Sequence, residues 1–222
     1  MGSMIELKAA DGHTLGAYVA GPADARRALV VIQEIFGVNH HMRAVCDAFA
    51  AAGYAAIAPA LFDRVERNLE LGYEPPDVAR GRDVRAKVPE AGTIADMEAA
   101  AAHFAGRRLG IVGYCWGGTV AWWGATRSHS FAAAVGWYGG GIAATSDAPT
   151  HCPVQLHFGE KDASIPMADV DAIRAAQPGV EVFVYPGAQH GFGCDERPSY
   201  SAKDAEQAQK RTLAFFGKHL GG

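Results

Sequence analysis

The chain of 222 residues contains no apolar run near the roughly 20 residues that cross a bilayer, so no membrane-spanning segment is expected. It has no excess charge of one sign: 20 Lys and Arg stand against 24 Asp and Glu, scattered, for a formal net charge of −4. A basic face for nucleic acid is therefore not expected. Cysteine is scarce, with only Cys46, Cys115, Cys152 and Cys194, and no two are spaced as CxxC. That spacing argues against structural zinc. With no apolar leader in the opening MGSMIELKAADG, it points to a reducing, cytoplasmic setting. Internal repeats, low-complexity tracts and linkers are also missing, so one domain over 1–222, a monomer, is expected, with neither metal nor organic cofactor.

What is present suits a packed core. Hydrophobic residues make up 49% of the chain and charged residues 20%, which leaves ample apolar surface to bury. Alternating segments at 5–8 and 14–19 flank Asp11-Gly12 and predict a hairpin. Nearly continuous apolar runs at 27–34, 54–61, 108–114, 131–139, 152–159 and 180–187 predict strands buried on both faces. Helical spacing falls between them: 41–53, ending at Gly53; 93–105, with Thr93 as N-cap; a stretch to about 125; 168–176; and 203–218. The polar stretch 62–92 reads as partly helical. Buried strands alternating with amphipathic helices imply an α/β fold, helices covering both faces of a mostly parallel sheet in a three-layer α/β/α sandwich.

The segment GIVGYCWGGTV (110–120) holds the most chemistry. Gly113-Tyr114-Cys115-Trp116-Gly117 has the spacing of a G-x-S-x-G nucleophile elbow, with a thiol in place of the hydroxyl. Glycines at 113 and 117 permit a very tight strand-to-helix turn that pushes the middle side chain outward and leaves the Trp116 N–H facing it. A thiolate at a helix N-terminus is favoured by the dipole. A buried, inert cysteine fits those five residues equally well. The partners weigh against it. In this architecture nucleophile, acid and histidine follow in that chain order, each after a late strand. GEKDASIP after the 152–159 strand offers Asp162, and AQHGF after the 180–187 strand offers His190. Singly, Asp162 reads as a turn residue and His190 as a loop histidine; jointly they complete a triad. His157 falls inside a strand and reads as a packing residue, and His40 as a helix cap. Glu34 ends the 27–34 strand; ionised near a thiol, it raises the thiol's pKa, and the Ile35 N–H offers a second oxyanion donor.

The sequence resembles the dienelactone hydrolase family, cysteine members of the α/β-hydrolase fold. The resemblance is carried by QEIFGVN, GYAAIAPALFDR, GYCWGG, GEKDASIP and HGF, in this order along nearly the whole chain. It implies Cys115 as nucleophile, Asp162 as acid, His190 as base, Glu34 as a gate on the resting thiol, and Ile35 and Trp116 as oxyanion donors. The implied activity is hydrolysis of a small ester or lactone through a thioester acyl-enzyme. Family members that open dienelactone grip its carboxylate with arginines, one of them four residues after the histidine. Here that position is Cys194, with Arg197 three further on. Arg82, Arg85, Arg197, Tyr114 and Phe36 are the candidate substrate contacts, although the helix arginines also fit a solvated face. The 62–81 stretch is the expected pocket wall or partial lid. Two other readings stay open: a binding module that has lost turnover, and a thiol-redox protein using Cys115 with Cys194.

Overall fold

The computed structural model describes residues 2–221. The chain divides into two compact units, one ending at Ile111 and the other beginning at Val112. In the first, β1 (Ser3–Lys8) and β2 (Thr14–Ala20) form the expected antiparallel hairpin. Its turn is closed by Gly12 at φ 89°, a conformation open to glycine, and by the Asp11 carboxylate, which accepts from the His13 N–H at 3.1 Å. β2 pairs antiparallel with β4 (Ala55–Pro59), and β4 pairs parallel with β3 (Arg27–Ile32). β3 and β4 are buried almost end to end whereas β1 is largely exposed. Their unbroken apolar runs follow from that two-sided burial.

Helix α1 (His40–Ala51) starts at Asn39, whose side chain accepts from the Met42 N–H at 3.2 Å. His40 is thus the first helical residue, not the cap, because the shorter amide side chain one position earlier reaches the free N–H groups. α1 ends at Ala51, two residues before Gly53, φ 87°. A short 3-10 turn (Leu61–Arg64) and α2 (Pro75–Arg85), with proline in its first turn, supply the helical part of the polar stretch. α3 (Glu90–His103) begins three residues before the position expected for it, with Pro89 at the cap. Thr93 is inside the helix and buried, its hydroxyl donating back to the Pro89 carbonyl at 3.2 Å. The capping reading failed because threonine satisfies a helix carbonyl as readily as a free N–H.

Strand β5 (Arg108–Tyr114) leads into the second unit, where the order is β5-β6-β7-β8. β6 (Ala133–Trp137), β7 (Val154–Gly159) and β8 (Glu181–Tyr185) are mutually parallel, separated by α4 (Trp116–Arg127) before β6 and α5 (Met167–Ala176) before β8. The closing helix α6 (Ala202–Leu220) packs on β6 and β7. Parallel strands all end at one edge, so the loops after β6, β7 and β8 leave from the same side of this unit. Among the described residues, no helix is long and apolar enough to cross a membrane.

Candidate active site

Cys115 sits in the single-residue joint between β5 and α4, at φ 57° and ψ −118°. A non-glycine residue in that region is strained and persists only where its surroundings impose it. Here a backbone bond on each side does so: the Cys115 N–H donates to the Trp137 carbonyl and the Gly118 N–H to the Cys115 carbonyl, both at 3.0 Å. The glycine requirement at 113 is absolute, because a Cβ there would lie 1.8 Å from the Gly117 carbonyl oxygen. The turn leaves the Cys115 side chain partly exposed at the N-terminus of α4, with Trp116 as its first helical residue.

Asp162 lies three residues beyond β7 and is buried at 5% exposure. Its two oxygens are separately engaged: Oδ1 accepts from the Ser164 N–H at 2.8 Å and Oδ2 from His190 Nδ1 at 2.7 Å. The loops carrying these residues are stitched together. The Lys161 N–H donates to the Ala188 carbonyl at 2.8 Å and the Glu160 N–H to the Tyr185 carbonyl at 3.0 Å, while a Cβ on Gly159 would meet Ala188 O at 2.5 Å. Cys115 also acts on this imidazole, favouring its protonated form. Burial alone would lower the imidazole's pKa. Asp162 and Cys115 outweigh it and push the value up to about 10.

Glu34, Ile35 and Phe36 fall in the first unit, in the turn that follows β3. β3 stops at Ile32, so Glu34 is a loop residue and not a strand end. It is buried at 1% exposure. The segment after the 3-10 turn packs on this loop: Phe36 meets Tyr73 edge-on at 4.6 Å, the Leu71 N–H donates to the Phe36 carbonyl at 2.9 Å, and Gly81 of α2 lies against the Ile35 carbonyl. Arg82 and Arg85 are exposed on α2, and Arg80 pairs with Glu66. In the second unit, Tyr114 is buried against Trp137, ring centroids 5.3 Å apart. The Arg197 guanidinium lies over Gly191, where a Cβ would come within 2.4 Å of it.

One neighbour of His190 escaped sequence reasoning. Tyr138 is fully buried at φ 40°, with its ring 5.2 Å from that of His190. A positive φ on a tyrosine leaves no mark in sequence; the run Gly139-Gly140-Gly141 after it is the only hint of an unusual turn. His157 is the packing residue expected, fully buried, its pKa held down to about 3 by burial and by the Arg211 charge.

The strand-to-helix elbow and the strand-end loops define an α/β-hydrolase. Comparison with known proteins narrows the class. The model of the "Dienelactone hydrolase family" matches residues 15–220, and the chain belongs to that family. It is 38% identical over 234 residues to a "Putative carboxymethylenebutenolidase" of Escherichia coli K12, covering 95% of this chain and 84% of that protein. A Synechocystis protein of the same name is 34% identical, covering 93% and 92%. The crystal structure of a "Putative Dienelactone Hydrolase" from Klebsiella pneumoniae superposes with a TM-score of 0.80 at 34% identity, over 97% of this chain and 99% of that one.

Proposed function

We propose that the protein hydrolyses a small ester or lactone, with Cys115 as nucleophile, His190 as general base and acid, and Asp162 as the group that orients the imidazole. The observation that carries this reading is the hydrogen bond at 2.7 Å between the Asp162 carboxylate and His190, supported by the part Cys115 takes with Asp162 in raising the pKa of that imidazole. Passage of the thiol proton to His190 gives a thiolate beside an imidazolium, the form that attacks a carbonyl carbon. The carbonyl oxygen becomes negative as the C–S bond forms. The Trp116 N–H, at the positive end of α4, is one donor for it, and by family resemblance the Ile35 N–H is the other. Collapse of the tetrahedral adduct breaks the C–O bond. The leaving oxygen takes the His190 proton if it departs as an alkoxide, or departs as an enolate.

Acylation then changes the base. Once the sulfur is a thioester, its support for the imidazolium is gone and the pKa of His190 falls. Neutral imidazole, still held through Nδ1 by Asp162, takes a proton from water, whose oxygen attacks the thioester and releases the acid and the thiol. No step calls on a metal or organic cofactor. The resemblance also gives Glu34 the role of holding the resting thiol unreactive. Arg197 is our candidate for a substrate carboxylate, because its guanidinium lies against the residue next to the base, whereas Arg82 and Arg85 are exposed. A thiol nucleophile has to stay reduced, and no disulfide joins the described cysteines; with the nucleophile reading, this supports a cytoplasmic setting.

An activated aryl ester tests the reading. A burst of phenolate and an adduct of one acyl group on Cys115 are expected, and Cys115→Ala should abolish both. Wild-type turnover by Cys115→Ala would end the proposal. Comparing anionic lactones with neutral esters of equal size then reads the substrate class.

A further inference from the structure

Beneath the loops that carry the triad lies a buried polar and aromatic array that the mechanism leaves unused. The register of the parallel strands places Trp137 beside His157 and His157 beside Phe183. Their rings follow in sequence across three strands, Trp137 to His157 at 5.0 Å and His157 to Phe183 at 5.6 Å, and the Arg211 guanidinium covers Phe183 at 4.1 Å. Side-chain hydrogen bonds tie the same residues together, and their directions are fixed by chemistry.

Gln155 Nε2 donates to Glu181 at 2.9 Å, so the amide oxygen faces His157. An amide oxygen only accepts, so His157 Nε2 carries the ring proton, shared with Thr212 Oγ1 at 3.3 Å. His157 Nδ1 is then the acceptor, and the Tyr185 hydroxyl donates to it at 2.8 Å while itself accepting from Arg211 at 3.1 Å. The imidazole is therefore neutral, in one tautomer and one orientation. Thr212 also accepts from the Trp137 indole N–H at 3.2 Å. One hydroxyl on α6 thus joins the histidine of β7 to the tryptophan that ends β6.

Trp137 links this array to the reacting groups from two directions. Its carbonyl accepts the Cys115 N–H, and its ring stacks on Phe192, two residues past His190, at 5.6 Å. The next residue, Tyr138, donates its N–H to the His157 carbonyl at 2.7 Å and sets its ring against His190. We infer that Trp137, pinned through Thr212 to His157, is a positioning residue that fixes the separation of the Cys115 sulfur and the His190 ring. The inference rests on the nucleophile reading above. Proton transfer and attack depend on sub-ångström placement, and a 1 Å error costs about 10²-fold. A pinned aromatic plate meeting both loops supplies that placement at a point remote from substrate.

Two substitutions at Thr212 separate positioning from packing. Thr212→Val keeps the shape and removes the acceptor; Thr212→Ser keeps the acceptor and removes a methyl group. If Trp137 positions the pair, Thr212→Val lowers kcat about tenfold with KM within about twofold, and slows the acylation burst. Thr212→Ser then turns over near the wild-type rate per active site titrated with the aryl ester. Trp137→Phe, which loses the indole donor together with one ring of the plate, should lose at least as much kcat as Thr212→Val, and the double variant should be no worse than Trp137→Phe. A merely structural role predicts a different pattern: thermal stability falls, and kcat per titrated site is unchanged in all variants. That result overturns the inference. If instead Cys115→Ala retains turnover, the nucleophile reading has failed. If Cys115 is required yet Thr212→Val is kinetically normal, only the positioning inference has failed.

Discussion

Replacing Asp162 by asparagine is the sharpest perturbation of the site, because its two oxygens have different partners. Oδ1 accepts from the Ser164 N–H at 2.8 Å and Oδ2 from His190 at 2.7 Å. An amide has one acceptor. If it keeps the Ser164 bond, the NH₂ group faces His190 and drives the ring proton from Nδ1 to Nε2. That nitrogen then presents a hydrogen to Cys115 and cannot take the thiol proton. If the amide flips, the Ser164 N–H loses its acceptor, and the negative charge beside the imidazole is gone in either case. The matching change in a serine triad lowers kcat about 10⁴-fold. We expect a loss of about 10³–10⁴-fold in kcat, or about 4–5.5 kcal/mol of barrier, with aryl ester as substrate.

The same variant has a signature in pH. In the wild type the His190 proton is held up to about pH 10, and the ordinary unfolded value is about 6.5. A folded pKa raised above the unfolded one contributes stability that is complete below about pH 6.5 and is lost as pH climbs through about 10. Thermal stability of the wild type should therefore fall across that window, and Asp162→Asn should fall less steeply, because its imidazole releases the proton earlier. NMR titration of His190 and melting curves between pH 6 and 10.5 check this. A variant within tenfold of wild-type kcat, with an unchanged histidine titration, would refute the orienting role of Asp162.

Two further outcomes follow from single residues. Gly113→Ala should remove activity and destabilise the fold by about 3 kcal/mol, since its new methyl would meet the Gly117 backbone and no flexible side chain can yield; melting temperature and burst amplitude read this, and near-wild-type stability would refute the elbow argument. If Glu34 is the gate that the family resemblance implies, Glu34→Gln should speed alkylation of resting Cys115 by iodoacetamide, because a carboxylate charge near a thiol favours its protonated form; equal or slower labelling would refute the gate.

Some of the site was legible because it depends on near neighbours in the chain. Gly-Tyr-Cys-Trp-Gly announces a tight turn through the steric needs of Gly113, which are local. Asp162 and His190 could be found because each sits just beyond an apolar run long enough to be read as a strand. Local ambiguity had the opposite effect at Thr93, whose hydroxyl satisfies a helix carbonyl, and at His40, where Asn39 makes the shorter capping bond. Tyr138 and Trp137 were read only as the end of a strand. Nothing in their neighbours along the chain indicates that one carbonyl holds Cys115 or that one ring faces His190.

By itself, then, the sequence determined where strands and helices alternate, which turn holds the thiol, and which acid and imidazole follow it, since patterning and turn sterics act over a few residues. The tertiary structure alone decided that Asp162 reaches His190 at 2.7 Å, that His190 keeps its proton to about pH 10, and that His157 stays neutral beneath them, with its pKa near 3. Those properties depend on burial and on contacts between residues distant along the chain, which exist only once the strands have paired.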